Sequence, residues 1–178
     1  MIITISGRQG AGKSTVTEKL AKKLGYKSCS MGDLRGRIAI KHGLTIDELN
    51  EIGKKHIWTD KEADDELIRI GKEENNYVID TWIGYHFIPN SKKIFLDVDS
   101  MVGTKRIFRD QRPDEQKKDS VKEVKKMLEK RLHDSWKRYK KYYNIDFLNK
   151  KNYDLVIDTT NLIADETVNK ILLFIKKK

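Results

Sequence analysis

MIITISGRQGAGKS, residues 1–14, joins an apolar run to a glycine-rich loop that ends in a lysine and a serine. From Gly7 to Ser14 the loop fits the pattern GxxxxGK[ST], the phosphate-binding P-loop. Glycines here let successive backbone N–H groups point inward at phosphate oxygens, through conformations that other residues rarely adopt. Lys13 supplies a cation for the β- and γ-phosphates, and the Ser14 hydroxyl is a ligand for Mg²⁺. The loop predicts a nucleotide site.

The residues around the loop favour this interpretation over a glycine loop without a ligand. The apolar run before it is short enough for a buried strand, and an amphipathic helix is predicted over 13–24. The positive end of that helix dipole would lie under the same phosphates. We assign nucleotide binding to Gly7, Arg8, Gln9, Gly10, Ala11, Gly12, Lys13, Ser14 and Thr15.

The composition is that of a charge-rich globular protein with one domain. The chain has 178 residues, of which 38% are hydrophobic and 36% charged, a length that can bury a core without staples. No apolar stretch approaches a membrane span. Its single cysteine excludes an intramolecular disulfide. Because a strand is predicted from residue 2, we expect no signal or transit peptide, and a cytoplasmic location.

The positive charge is uneven along the chain. The net charge is +10, and between residues 117 and 141 eleven Lys/Arg face four Asp/Glu, which gives +7 in that segment. One interpretation is an anion funnel over a nucleotide site or a nucleic-acid surface; the other is a solvated helix face. We expect most of these lysines to be solvated.

Short apolar runs alternate with helical patterns along the whole chain. The predicted strands are 2–6, 26–30, 77–80, 93–98 and 153–158. The predicted helices are 13–24, 32–42, 100–111, 119–142 and 164–176, together with two that begin at capping boxes. One box is Thr45 with Glu48, and the other is Thr59 with Glu62, whose helix runs to about Glu74. This order predicts an α/β fold with a doubly wound five-stranded parallel sheet.

In such sheets ligands gather at the carboxyl ends of the strands. That rule brings the P-loop together with residues 30–33, 80–82, 97 and 158–160 around one crevice. The polar segment 110–119, which holds Pro113 and joins two helices, is predicted to be the tip of a lid.

Two acids follow predicted strands. Asp80 closes an apolar strand, where an acid commonly holds Mg²⁺ or its waters opposite the P-loop serine. The alternative for Asp80 is a strand-terminal turn residue. Asp33 follows the second strand, and either holds water as a second acid or caps the next helix. The predicted metal residues are Ser14 and Asp80.

Two groups of arginines have helical spacing. Arg131 and Arg138 lie seven residues apart, close to two helical turns, so both leave one helix face and suit a phosphate monoester. Arg106, Arg109 and Arg112 recur every three residues into the lid, where some could neutralise a transferring phosphoryl group. For each single arginine the alternative is a surface ion pair.

The ordered set of motifs resembles archaeal-type cytidylate kinases of the nucleoside monophosphate kinase family. The resemblance covers nearly the whole chain. It rests on MIITISG with the P-loop, SMGD at 30–33, HGLT at 42–45 with DEL at 47–49, KRI at 105–107, the Arg131/Arg138 pair, and YDLVIDT at 153–159. The P-loop alone is common to a superfamily, whereas the ordered set is fairly specific.

The resemblance implies a P-loop kinase domain over residues 1–178, with acceptor-binding helices at about 32–74 and a lid at about 106–140. ATP is held by Lys13, Ser14 and Mg²⁺, with Thr159 near the donor base. The implied catalytic residues are Lys13, Arg106, Arg131 and Arg138, and the implied acceptor-binding residues are Ser30, Asp33, Arg35, Arg37, Trp82, Arg131 and Arg138. No general base is required, because an acceptor phosphate is largely ionised at neutral pH.

The chain departs from the family pattern at two acceptor positions. The arginine expected six residues after Ser30 is Gly36, flanked by Arg35 and Arg37. The arginine expected two residues after Asp80 is Trp82, which can stack on a base or sugar but cannot clamp a phosphate. Donor binding is therefore expected to be intact, and the identity of the acceptor stays open.

Three functions remain open. The first is a kinase for CMP or dCMP, and the second is a kinase of the same fold with a different small phosphorylated or hydroxylated acceptor. The third is a nucleotide-binding regulator or RNA-associated protein with little kinase activity. We favour the first, with a small nucleotide as partner, no membrane or nucleic acid, and a monomeric state.

Overall fold

A five-stranded sheet organises the chain in the computed structural model, which describes residues 1–111 and 117–176. Its strands are β1 (Ile2–Gly7), β2 (Lys27–Ser30), β3 (Tyr77–Asp80), β4 (Lys92–Asp97) and β5 (Leu155–Asp158). Their order is β2-β3-β1-β4-β5, and each described pair is parallel. The predicted doubly wound five-stranded parallel sheet is confirmed.

Eight α-helices lie in the described residues. They are α1 (Lys13–Leu24), α2 (Met31–Lys41), α3 (Ile46–Gly53), α4 (Trp58–Glu73), α5 (Gly84–Phe87), α6 (Ser100–Arg109), α7 (Val121–Tyr143) and α8 (Ala164–Lys176), with a 3-10 turn at Lys150–Asn152. The sequence patterns predict all of these helices except α5, which with four residues is too short to show a helical period. None of the helices in the described ranges combines the length and apolar composition that a membrane crossing requires.

The two predicted capping boxes have different outcomes. Thr45 caps α3 as predicted, since its hydroxyl accepts the Glu48 N–H at 3.2 Å while its own N–H donates to the Glu48 carboxylate at 2.7 Å. The predicted cap at Thr59 is wrong. Thr59 lies inside the first turn of α4, fully buried, and its hydroxyl donates to the His56 carbonyl at 3.2 Å. Because α4 already begins at Trp58, with Ile57 at the N-cap, Thr59 lies too far along the chain to cap it.

The inner strands β1, β3 and β4 are mostly buried, as expected for a parallel sheet covered by helices on both faces, whereas the edge strands β2 and β5 are largely exposed or half-buried. Ile3 and Ile5 on one face pack against α1 and α8, with Leu20 and Val168 among the buried partners. The other face packs against α2 and α4. A third apolar cluster lies beside α7, where Ile83, Tyr139, Ile145 and Phe147 are buried. These clusters hold the carboxyl ends of β1 and β3 beside one another.

The P-loop and α6 touch backbone to backbone. Gly10 has a φ of 76°, and a Cβ there would lie 2.3 Å from the Gly103 carbonyl oxygen. A Cβ on Gly103 would lie 2.8 Å from the Gln9 carbonyl oxygen. Glycine is required on both sides of this contact, because no side chain fits between the two backbones.

We predict opposite effects for two Gly→Ala changes within helices. Gly103→Ala should lower the free energy of unfolding by about 1–3 kcal/mol and weaken ATP binding, because it forces the P-loop away from α6. A Cβ at Gly36 meets no atom within 4 Å, so Gly36→Ala should raise the free energy of unfolding by about 0.5–1 kcal/mol. Urea denaturation and ATP titration measure both. A Gly103→Ala protein as stable as the Gly36→Ala protein would contradict the close contact.

Candidate active site

The P-loop has the backbone geometry that phosphate binding needs. Gly12 stands at the N-cap of α1 with a φ of 82°, in the left-handed region, and offers no side-chain acceptor to the first turn. An anion is the natural partner for N–H groups in that position. The Lys13 ammonium donates to the Arg8 carbonyl at 3.2 Å, which folds its side chain back over the loop. The loop is therefore shaped as a cradle for an anion.

The two predicted metal residues are in direct contact. The Ser14 hydroxyl donates to the Asp80 carboxylate at 2.8 Å, and Asp80 is buried at the end of β3. The register of the sheet explains this contact, since Ile5 of β1 pairs with Asp80 just before the P-loop begins. A hydroxyl and a carboxylate are hard oxygen ligands, so the pair fits Mg²⁺.

A cleft of about 1230 Å³ opens at the carboxyl ends of the strands. It is lined by the P-loop from Gln9 to Thr15, by residues 80–83, and by parts of α2, α3, α4, α6 and α7. This volume exceeds that of a usual small-molecule pocket. The cleft is large enough for a donor and an acceptor side by side.

Arg106 of α6 connects two loops at the P-loop end of the cleft. Its guanidinium donates to the carbonyls of Gly10 at 3.3 Å, Thr159 at 2.9 Å and Thr160 at 3.1 Å. These carbonyls fix the guanidinium beside the P-loop without neutralising its charge. The buried Thr159 hydroxyl lies 2.9 Å from the Asp97 carbonyl and 3.2 Å from the Ala11 carbonyl, so Thr159 is placed between β4 and the P-loop.

The other two arginines of the triplet are placed differently. Arg109 borders the cleft but is exposed, and it pairs with Asp110 at 3.1 Å. Arg112 and Pro113 lie outside the described residues. At the base of that segment, the Gln111 side chain donates to the Lys118 carbonyl at 2.9 Å and accepts the Lys118 N–H at 2.7 Å.

Asp60 binds two arginines from neighbouring helices. Arg35 of α2 donates to the Asp60 carboxylate and to the Thr59 carbonyl at 3.0 Å. Arg138 of α7 places its Nε 3.1 Å from the other Asp60 oxygen, an ion pair whose two atoms form no hydrogen bond. All three side chains border the cleft, and relative exposure is 2% for Asp60 and 4% for Arg138. A single buried carboxylate thus holds two guanidinium groups at one wall of the cleft.

Other candidate residues lie outside the cleft lining. The Ser30 hydroxyl caps α2 by accepting the Asp33 N–H at 3.2 Å, so Ser30 and not Asp33 is the helix cap. Arg37 is exposed, and Arg8 turns away to pair with Asp97 at 3.1 Å. Of the cleft-lining residues that the structure describes, none is Ser30, Asp33, Arg37 or Arg8. Their roles in ligand binding stay predictions.

Charged contacts connect α3 with α7 beside the cleft. The pairs are Arg131 with Asp47 at 3.1 Å, Lys130 with Glu51 at 2.8 Å, and Lys54 with Asp134 at 3.0 Å. Their side chains keep between 23% and 66% of their exposure. Arg131 therefore borders the cleft from a partly exposed ion pair, whereas Arg138 borders it from a buried one.

Trp82 stands in the cleft wall with one ring face already covered. It stacks on Phe147 at 4.9 Å between centroids and 16° between planes, and meets Tyr139 edge-on at 6.3 Å. The indole belongs to the aromatic cluster beside α7. Only the part of the indole that Phe147 and Tyr139 leave uncovered can stack on a ligand.

Asp64 is a second buried carboxyl group in the cleft wall, and sequence reasoning missed it. It lies one helical turn after Asp60, is 8% exposed, and accepts a hydrogen bond from the Tyr143 hydroxyl. Burial raises the pKa of Asp64 to about 7, although the hydrogen bond from Tyr143 acts in the opposite direction. The available signal was its spacing, since Asp60 and Asp64 share a helix face with the buried Ala63 and Leu67.

We predict that Asp60→Asn destabilises the fold strongly. Removing the carboxylate leaves Arg35 and Arg138 as buried charges without their shared partner, a loss of about 3–5 kcal/mol. Urea denaturation measures it. Asp65→Asn is the matched control, because Asp65 is exposed on the same helix and pairs with Lys61; its effect should stay within about 0.5 kcal/mol. Equal stability of the two variants would contradict the assignment.

We predict that Asp64→Asn becomes more stable relative to wild type as pH rises from about 5 to 8. The folded-state pKa of Asp64 is raised to about 7, while the unfolded carboxyl ionises near 4. The folded state then binds the extra proton in this window, so wild-type stability falls with rising pH. Asparagine removes that loss, which is on the order of 2 kcal/mol. Parallel unfolding curves at both pH values would contradict the raised pKa.

Comparison with known proteins agrees with the geometry. The family model of the cytidylate kinase-like family matches residues 2–161. A cytidylate kinase from Sulfurisphaera tokodaii is 34% identical over 177 residues, covering 97% of this chain and 93% of that protein. One from Archaeoglobus fulgidus is 31% identical over 179 residues, covering 100% and 96%.

A third relative is much longer than this chain. An S-adenosylmethionine-dependent nucleotide dehydratase from Lacinutrix mariniflava is 37% identical over 171 residues, which are 96% of this chain but 35% of that protein. The chain therefore spans about a third of that relative, and the dehydratase name describes the whole of the longer protein.

Solved structures share the fold at low sequence identity. An uncharacterised protein from Eubacterium ventriosum has a TM-score of 0.74 at 19% identity, covering 100% of this chain and 99% of its own. Shikimate kinase from Bacteroides thetaiotaomicron has a TM-score of 0.68 at 18% identity, covering 99% and 98%. The fold is that of P-loop kinases. With the family model matched from β1 to beyond β5 and near-full-length relatives above 30% identity, the chain belongs to the cytidylate kinase-like family.

Proposed function

We propose that the protein is a nucleoside monophosphate kinase that transfers the γ-phosphate of ATP to CMP or dCMP, giving ADP and CDP or dCDP. The observation that carries the proposal is the cleft itself. It joins a P-loop with a Ser14–Asp80 contact at one end to Arg131 and Arg138 at the other. Transfer between two bound nucleotides needs this arrangement of a donor site and an acceptor site.

The donor end holds ATP through the P-loop in this proposal. Backbone N–H groups and Lys13 contact the β- and γ-phosphates, and Thr159 lies beside the donor base. Ser14 and Asp80 would hold Mg²⁺, which neutralises phosphate charge when bound. Arg106 is fixed beside the loop by backbone carbonyls, in a position to stabilise the charge of the transferred group.

The acceptor end is formed by α2, α3 and α4, within the proposed acceptor-binding segment at about 32–74. Arg35 takes over the role of the arginine that Gly36 replaces, because Arg35 borders the cleft whereas Arg37 is exposed. Arg131 and Arg138 approach from α7, in the proposed lid at about 106–140, within one kinase domain. Lid closure would exclude water, which protects the transferring group from hydrolysis.

The deciding experiment is ATP-dependent phosphorylation of CMP, dCMP, UMP, AMP and GMP by the purified protein with Mg²⁺. We expect selective formation of CDP and dCDP. Lys13→Ala should lower kcat at least about a hundredfold while the protein stays folded, because the cation opposite the developing charge is lost. Turnover of none of the five monophosphates by the wild type would reject the proposal.

A pair of arginine variants tests the placement of the acceptor. Arg131→Ala should raise the KM for CMP at least about tenfold and leave the KM for ATP unchanged, since a charge-assisted contact is removed. Arg69→Ala is the control, because Arg69 pairs with Glu66 at 2.8 Å outside the cleft lining described, and should behave like wild type. Equal effects of Arg131→Ala on CMP and ATP would contradict this placement of α7.

A kinase of the same fold with a different small acceptor is the second candidate. Trp82 favours it, since the indole packs on Phe147 where the family carries an arginine. The shared use of Asp60 by Arg35 and Arg138 favours it too, because their charge is partly neutralised before any acceptor binds. ATP binding without turnover of the five monophosphates would move the assignment to this candidate.

A further inference from the structure

The acceptor end of the cleft contains a carboxyl group that the transfer chemistry does not use. Asp64 borders the cleft on α4, and its carboxyl group takes part in no ion pair among the described residues. Its Oδ2 accepts from the Tyr143 hydroxyl of α7. Neither phosphate binding nor metal binding calls for this residue, which lies one turn beyond Asp60.

The cleft wall that holds Asp64 combines apolar side chains with the charged Asp60 and Arg35, both of which act on its carboxyl group. Ala63 and Leu67 of α4, Ile83 after β3, and Tyr139 of α7 border the same cleft and are buried. A carboxyl group in such a wall is costly unless it is hydrogen-bonded. An apolar pocket with a few placed polar groups is how proteins bind and orient a flat heterocycle.

Charged and polar groups near Asp64 also affect its pKa. Asp60 and Asp65 on α4 disfavour its ionised form, whereas Arg35 of α2 and the Tyr143 hydroxyl of α7 favour it. Burial is the largest influence, and the pKa lies near 7. At neutral pH the carboxyl group therefore exchanges between an acceptor-only form and a form that can also donate.

We propose that Asp64 is the residue that reads the acceptor base, accepting a hydrogen bond from the exocyclic amino group of cytosine. The inference rests on the proposed function, and it names the group that separates CMP from UMP. Cytosine and uracil have the same size and differ at this edge, where cytosine presents an amino donor and uracil a carbonyl acceptor. An ionised carboxylate accepts from the amino group and repels the carbonyl oxygen.

The test compares CMP with UMP as competing acceptors for the wild type and two variants. Asp64→Asn keeps the shape of the side chain but can donate to the uracil carbonyl, so the ratio of kcat/KM for CMP over UMP should fall about tenfold to a hundredfold. The KM for ATP should not change. Glu73→Gln, at an exposed position near the end of the same helix, should keep the wild-type ratio.

A pH series distinguishes recognition of the base by Asp64 from a purely structural role of this residue. The wild-type ratio of CMP over UMP should rise between about pH 6 and 8, as Asp64 ionises and stops donating to uracil. The acceptor phosphates titrate alike in both substrates, so their ionisation cancels in the ratio. In Asp64→Asn the ratio should be flat. The wild-type pH series needs no variant, so it tests the role of Asp64 even if Asp64→Asn does not fold.

The outcomes separate the inference from the function on which it rests. Turnover of CMP with a wild-type ratio that does not change with pH, or an Asp64→Asn loss that is equal for CMP and UMP, would overturn the role of Asp64 and leave the kinase in place. Turnover of neither substrate by the wild type would reject the kinase, and the inference with it.

Discussion

The ion pairs of Asp60 connect three helices that line the cleft. Arg35, Asp60 and Arg138 come from α2, α4 and α7, which belong to different stretches of the chain. Three buried charges are stable together only if each is paired, because an isolated buried charge is very costly. The interaction therefore makes the position of α7 depend on the position of α2 and α4. The acceptor end of the cleft has its shape because this condition is met.

The donor end depends on a different kind of contact. Gly10 and Gly103 bring the P-loop and α6 together without side chains between them. Arg106, one turn further along α6, then reaches the carbonyls of Gly10 and Thr159. Close packing without voids transmits small shifts, so a change in α6 reaches the phosphate loop directly. The helix that carries Arg106 is thus also the helix that supports the loop.

The sequence predicts the donor end better than the acceptor end, for a physical reason. The P-loop is contiguous, and Asp80 is recognisable because it closes an apolar strand next to it. By contrast, Asp60 and Asp64 stand among other acids in α4; their spacing can place them on the buried helix face, but only the contacts with α2 and α7 show what they bind. The same holds for Arg35 and Arg37, whose spacing puts them on different helix faces without saying which face is buried. The cap at Thr59 is wrong for a similar reason, since the sequence does not show that the helix starts one residue earlier, at Trp58.

The charged contacts between α3 and α7 make this wall of the cleft sensitive to the concentration of dissolved salt. Each of the pairs Arg131–Asp47, Lys130–Glu51 and Lys54–Asp134 is partly hydrated, so each contributes little by itself and is screened by dissolved ions. The buried pairs of Asp60 are screened much less. We therefore expect rising ionic strength to weaken these three pairs more than the buried pairs of Asp60. The attachment of α3 to α7 is then the salt-sensitive part of the cleft wall, and the contacts of Asp60 are the salt-resistant part.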